Sequence, residues 1–144
     1  MIAASSCHLT RTMNEQPPQH PPAMIAFMNQ LVARLPEVAK VIHARRQEER
    51  GQILPYMEMG DLISWLGLMQ ARSRGSRAAG DRARVVVREF LEELENQFEV
   101  GNQDVDNLIA VGFLEGLRLT DDEFPSLRAM LPPRMSAWFA LACE

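Results

Sequence analysis

Between Asp81 and Leu117 the sequence changes character at one glycine, Gly101. Before it, Val87, Phe90, Leu91, Leu94 and Phe98 recur at spacings of three and four, the apolar stripe of one helix. Arg84, Arg88, Glu92, Glu95 and Glu99 form a charged stripe further round the same helix. After the glycine, Val105, Leu108, Ile109, Val111, Phe113, Leu114 and Leu117 cover more than one face of a second helix, and a helix apolar nearly all round is a buried one. Gly101 suits the left-handed backbone just past a helix end, and Asn102 or Asp104 can accept hydrogen bonds from the free amides that open the next helix. A turn this short makes the two arms neighbours. The stretch predicts an antiparallel helical hairpin whose oily arm lies at the centre of an all-α domain, with Gly112 leaving room for another helix to approach closely.

The rest of the chain reads as shorter helices around that hairpin. Pro17, Pro18, Pro21 and Pro22 exclude regular helix from residues 1–22, so this segment is expected to be an extended tail and 23–144 a single domain. Ile25, Met28, Leu31, Val32 and Leu35 form one stripe that Pro36 stops, and a second helix from about Glu37 ends at Gly51. Its last part, Arg45 to Arg50, reads as a solvated face laced by weak ion pairs. Ile53–Tyr56 reads as a connector, followed near Gly60 and Asp61 by a helix carrying Met59, Leu62, Trp65, Leu66 and Met69 on one face. Arg72 to Gly80 reads as a flexible loop. Thr120 with Glu123 matches a capping box, and Pro132-Pro133 permits a last helix from about Arg134 to Ala142. No alternating β-branched run is present. The expected fold is therefore a compact all-α bundle of about five to seven helices.

Composition and motifs remove many functions from consideration. A chain of 144 residues with 47% hydrophobic residues can fill the core of one ordinary domain. Cys7 and Cys143 lie near opposite ends with no zinc-like spacing, which suits reduced thiols in a cytoplasmic protein. Leu62 to Ala71, the longest uncharged apolar stretch, is far short of the roughly 20 residues that span a bilayer. His8, His20 and His43 lack the Glu-x-x-His spacing of a dinuclear carboxylate site, and neither a phosphate-binding Gly-Lys-Ser/Thr loop nor a Gly-x-Ser-x-Gly elbow occurs. The sequence therefore offers no catalytic, metal or cofactor residues, and a non-enzymatic role is expected.

Charge is the informative remainder. Residues 1–88 carry 12 basic and 7 acidic side chains, residues 89–144 carry 3 and 12, a split of +5 against −9. Arg72, Arg74, Arg77, Arg82, Arg84 and Arg88 make a basic strip able to meet phosphate, with no aromatic residues interleaved and no recognition-helix signature. Glu92, Glu95 and Glu99 line one helix face, and Asp104 and Asp106 follow across the turn. Together these five carboxylates are the candidate partner-binding surface, one that would steer a basic partner. For Asp104 and Asp106 the competing role is structural, since negative charge in a first helical turn favours the helix dipole.

Three segments carry a resemblance: Leu54-Pro55-Tyr56-Met57-Glu58-Met59-Gly60-Asp61-Leu62, Phe90-Leu91-Glu92-Glu93-Leu94-Glu95 and Asn107-Leu108-Ile109-Ala110-Val111-Gly112-Phe113-Leu114-Glu115-Gly116-Leu117. Over roughly residues 25–118 the chain resembles an uncharacterised family of small bacterial helical proteins associated with toxin loci, where they look like candidate immunity proteins. The resemblance implies stoichiometric neutralisation of a cognate protein toxin, with no catalytic residues carried over. The acidic surface makes a basic toxin the expected partner. The alternative is a nucleic-acid-associated regulator using the arginine strip.

Overall fold

Three prolines that looked like helix breakers open helices instead. Pro22, Pro36 and Pro55 each occupy the first helical position of α1 (Pro22–Arg34), α2 (Pro36–Glu48) and α3 (Pro55–Arg72). The missing N–H costs nothing there and the ring presets the helical φ. Leu35, held extended by the proline after it (φ −126°, ψ 98°), closes α1 and begins α2 in one residue. The same logic places the start of α3 at Pro55, inside the expected connector and ahead of Gly60. The structure, a computed structural model, describes residues 20–120 and 125–142. Expectations for the rest of the N-terminal segment, the two cysteines and Glu123 lie outside those residues.

The expected Arg72–Gly80 loop is shorter. Ser76 Oγ accepts from the Ala79 amide at 3.3 Å and starts α4 (Arg77–Gln97), so only four residues separate α3 from α4. Gly80 lies inside the first turns of α4, buried, where an added Cβ would stand 2.8 Å from the Ser73 carbonyl oxygen. Arg84 Nη1 donates to that same carbonyl at 3.1 Å. The glycine serves close approach between two helix ends and does not break α4.

The turn of the expected hairpin is present, but its two arms pack chiefly on α3 and not on each other along their length. Its first arm ends at Gln97, and left-handed backbone falls on Glu99 (φ 61°) as well as on Gly101 (φ 133°). Asp106 Oδ1 accepts from the Glu99 amide at 2.6 Å, and Asn102 Oδ1 accepts from the Val105 amide at 3.0 Å, so two side chains pin the turn. The second arm, α5, is continuous but not uniform: α-helical Gln103–Asn107, π-helical Leu108–Leu114, and α-helical Glu115–Leu119. Leu108, Ile109, Phe113 and Leu114 are fully buried, whereas Val111 is 57% exposed. The wider π turn gathers the large side chains on the inner side and turns Val111 outward. Thr120, expected to open a helix, closes this one by donating to the Leu117 carbonyl at 3.1 Å. Helices α6 (Pro125–Ala129) and α7 (Pro133–Ala142) complete the bundle. The described residues are thus all helical and loop, seven helices in order.

Both arms pack on α3, which also touches α1, α2 and α6. Trp65 of α3 meets Phe90 of α4 edge-on at 5.6 Å between ring centroids, and Phe90 meets Phe113 of α5 at 5.7 Å. That geometry suits the quadrupoles of all three rings. A Cβ on Gly112 would lie 3.2 Å from Tyr56 Cδ1 and 3.4 Å from Met59 Cβ, so α3 and α5 approach where the glycine was expected to allow it. Ion pairs complete the α2–α3 contact. Glu58, wholly buried, accepts from Arg46 Nε at 2.9 Å and Nη2 at 3.2 Å, and Arg46 also reaches Asn29 Oδ1 at 2.8 Å. Arg45 forks onto Asp61 at 2.7 and 2.9 Å, and this hydrogen bond and charge hold its guanidinium pKa above the ordinary value. The segment expected to be a solvated face is a structural seam. Its arginines find carboxylates across the chain, which local sequence does not display.

Candidate functional site

The charge pattern of α4 runs against the dipole of its own backbone. Arg77 stands in the first turn, where no acidic residue occurs, and the last turn holds Glu95 and no basic residue. Each such placement at an exposed helix end costs about 0.3–1 kcal/mol relative to the reverse. The order is basic from Arg77 to Arg88 and acidic from Glu89 onward, so the helix, about 31 Å long at 1.5 Å per residue, separates two poles.

The five predicted carboxylates do not form one surface. Glu92, Glu99 and Asp104 are exposed and make no side-chain hydrogen bond or ion pair with the described residues, and Glu89 shares that condition. Glu95 is buried. Its Oε2 accepts from the Arg134 amide at 2.7 Å and its Oε1 from the Met135 amide at 3.1 Å, so it caps the N-terminus of α7, while the Arg134 side chain donates back to the Glu95 carbonyl. This is a correction to the sequence reading: Glu95 shares helical spacing with Glu92 and Glu99, but α7 covers its side of α4. The same contact offsets the cost of an acidic residue at the end of α4, because its charge meets the positive end of a second helix. Asp106 is half-buried and committed to the Glu99 amide. Glu93, left out of the sequence prediction, bridges to α1 through Arg34 at 3.4 Å and Gln30 at 3.5 Å.

What remains exposed is an acidic edge that runs from Glu89 and Glu92 to the hairpin tip at Glu99 and Asp104, where Val100 is 61% exposed. Beside Glu92 a groove of about 360 Å³ opens between α4 and the α6–α7 connection, lined by Leu91, Met130 and Pro132 with Arg88 and Glu92 at its rim. Glu92 beside this apolar floor can take the head of a lysine or arginine whose stem lies in the groove, against the opposing charge of Arg88.

The basic strip is also partly spent. Arg82 pairs with Glu37 at 3.6 Å and Arg84 with Asp81, leaving Arg72, Arg74, Arg77 and Arg88 exposed without a partner among the described residues. Glu115 is half-buried and paired with Arg118.

Residues 28–141 match a family model described as Domain of unknown function (DUF7674). The chain belongs to the DUF7674 family. The DUF7674 match runs from within α1 to within α7, so the hairpin, the α2–α3 ion pairs and the acidic edge all lie inside the family domain. No curated protein and no solved structure matches the chain. Among the described residues no helix is long and apolar enough to cross a membrane.

Proposed function

We propose that this DUF7674 chain is a non-catalytic protein-binding module that engages a basic partner protein stoichiometrically through the acidic edge of α4 and its turn. The observation that carries this reading is the division among its carboxylates. Glu58, Asp61, Glu93 and Glu95 are used up inside the fold, while Glu89, Glu92, Glu99 and Asp104 stay exposed and unpaired among the described residues, and Glu92 borders an apolar groove. A field of one sign raises the association rate of an oppositely charged partner and makes it salt-dependent. The resemblance to small proteins of toxin loci makes a cytoplasmic role as an immunity protein, occluding a cognate basic toxin, the specific form of this proposal. Co-expression with the neighbouring open reading frame tests it: the neighbour alone stops growth, and the two products copurify. In that complex Glu92→Lys, Glu99→Lys and Asp104→Lys together slow association by about 10-fold or more. Unchanged association in the folded triple variant removes this surface.

A second reading rests on Arg72, Arg74 and Arg77, which lie exposed at the α3–α4 turn without a partner among the described residues and present phosphate-binding groups. It predicts nucleic-acid binding that falls steeply with salt and is lost on changing the three to Ala. No binding at low salt disposes of it.

A further inference from the structure

Where the start of α2 meets the end of α3 and the first turns of α4, two adjoining hollows of about 230 and 130 Å³ share Glu37, Met69 and Arg72. Together they reach the lower end of the range of small-molecule sites, about 300–1,000 Å³. Their floor is apolar, made by Val41, Trp65, Met69, Ala83 and Val86. Three cations stand around it, Lys40 of α2, Arg72 of α3 and Arg82 of α4, against a single carboxylate, Glu37. Glu37 does not neutralise all three. It lies 4.0 Å from Lys40 Nζ and 3.6 Å from Arg82 Nη2, both too long for a hydrogen bond, and Arg72 has no side-chain partner among the described residues. A third hollow, of about 240 Å³, continues past Arg82 along Leu35, Val38 and Val85, with Glu89 as its further carboxylate.

We infer that the two hollows bind a small amphipathic carboxylate, its head on the Arg72 guanidinium within the field of Arg82 and Lys40, its carbon tail over Trp65, Met69 and Val86. A guanidinium offers two parallel N–H donors and a carboxylate accepts both. Arg72 is the member of the trio whose donors are unused. The surplus of positive charge favours an anion over a neutral or cationic molecule, and an apolar tail gains by leaving water together with the floor it covers. That floor separates this site from the phosphate reading of the α3–α4 turn, because neither Arg74 nor Arg77 lines it. The site lies beside the basic half of α4, so it stands apart from the acidic edge and from the proposal built on that edge.

Decanoate is the probe, followed by the fluorescence of Trp65 in the full chain carrying Trp138→Phe, which leaves one tryptophan. Saturable binding with a Kd of about 0.1–1 mM is expected for a ligand of about twelve non-hydrogen atoms in an open site. Decanol, the tail without the charge, and acetate, the charge without the tail, bind about 10-fold more weakly or less. Arg72→Gln weakens decanoate by about 5–10-fold, whereas Arg74→Gln, in the same turn but outside the hollows, leaves it within about 2-fold. Glu37→Gln removes the competing carboxylate and tightens decanoate by about 3-fold, the opposite of what a loss of structure would do. All three positions are exposed or half-buried, and helical circular dichroism of each variant is expected to match the parent. No saturable binding up to about 5 mM, decanol binding as well as decanoate, or equal losses in Arg72→Gln and Arg74→Gln overturns the site. No gain in a folded Glu37→Gln chain overturns the assignment of the head to this cluster.

Discussion

Glu95 and Glu92 are one turn apart on α4, and replacing each by alanine should separate their roles by several-fold in free energy. Glu95→Ala removes the acceptor of the Arg134 and Met135 amides and leaves the start of α7 uncapped. Losing an N-terminal cap costs about 0.5–2 kcal/mol, and hydrogen bonds to a charged group are worth about 1.5–3 kcal/mol. One of the two amides, that of the exposed residue Arg134, can turn to water, so the sum is reduced to about 2–4 kcal/mol. That is a large share of a total stability of about 5–15 kcal/mol. With a urea dependence of about 2 kcal/mol per molar, the unfolding midpoint falls by about 1–2 M. Glu92→Ala, at an exposed position without partners among the described residues, changes stability by less than about 0.5 kcal/mol. Urea titration followed by far-ultraviolet circular dichroism reads both, and the fluorescence of half-buried Trp138 on α7 shows whether that helix loosens first. Glu95→Gln, which keeps one acceptor, falls between the two. A Glu95→Ala midpoint indistinguishable from that of Glu92→Ala would refute the capping role and return Glu95 to the acidic surface.

Arg46→Met leaves the wholly buried Glu58 carboxylate without its partner, so a loss of about 3–5 kcal/mol is expected, and the double variant Arg46→Met/Glu58→Leu recovers most of it. Chemical denaturation of the two singles and the double measures the coupling, and additive effects would show that the pair is not a unit. Gly80→Ala would raise helix propensity by up to about 1 kcal/mol in open helix, yet here its Cβ meets the Ser73 carbonyl, so a net loss of about 1–3 kcal/mol and a lower thermal midpoint are expected. A more stable Gly80→Ala variant would mean that the α3–α4 corner relaxes freely.

Much of the fold could be read ahead of the structure because its signals are local. Val87, Phe90, Leu91 and Leu94 share a stripe by spacing alone, and burial of Leu108, Ile109 and Phe113 follows from a helix that has no polar face to offer water. Turn chemistry was legible for the same reason: Gly51 and Gly101 take positive φ, and Asn102 caps the helix that follows it. The prolines misled because one residue type both stops a helix and starts the next. Pro55 is read correctly only by asking whether the amide it lacks would have had an acceptor. The π segment of α5 left no trace in composition, since it answers to the packing of Leu108 to Leu114 against α3 and not to any residue's own preference.

The candidate surface divides along the same line. That the second half of α4 is acidic is a property of its residues, and no fold could alter it. Which carboxylates remain free for a partner depends on what lies across from each: α7 stands over Glu95, Arg34 reaches Glu93, and Arg46 takes Glu58, whereas no described residue hydrogen-bonds or ion-pairs with the side chain of Glu92 or Asp104. Spacing along a helix places a side chain on a face, and only the neighbouring helices determine whether that face meets water. The charge of this protein is therefore written in its sequence, and the availability of that charge was decided by long-range packing, because a carboxylate's partner can lie 39 residues away along the chain and 2.7 Å away in space.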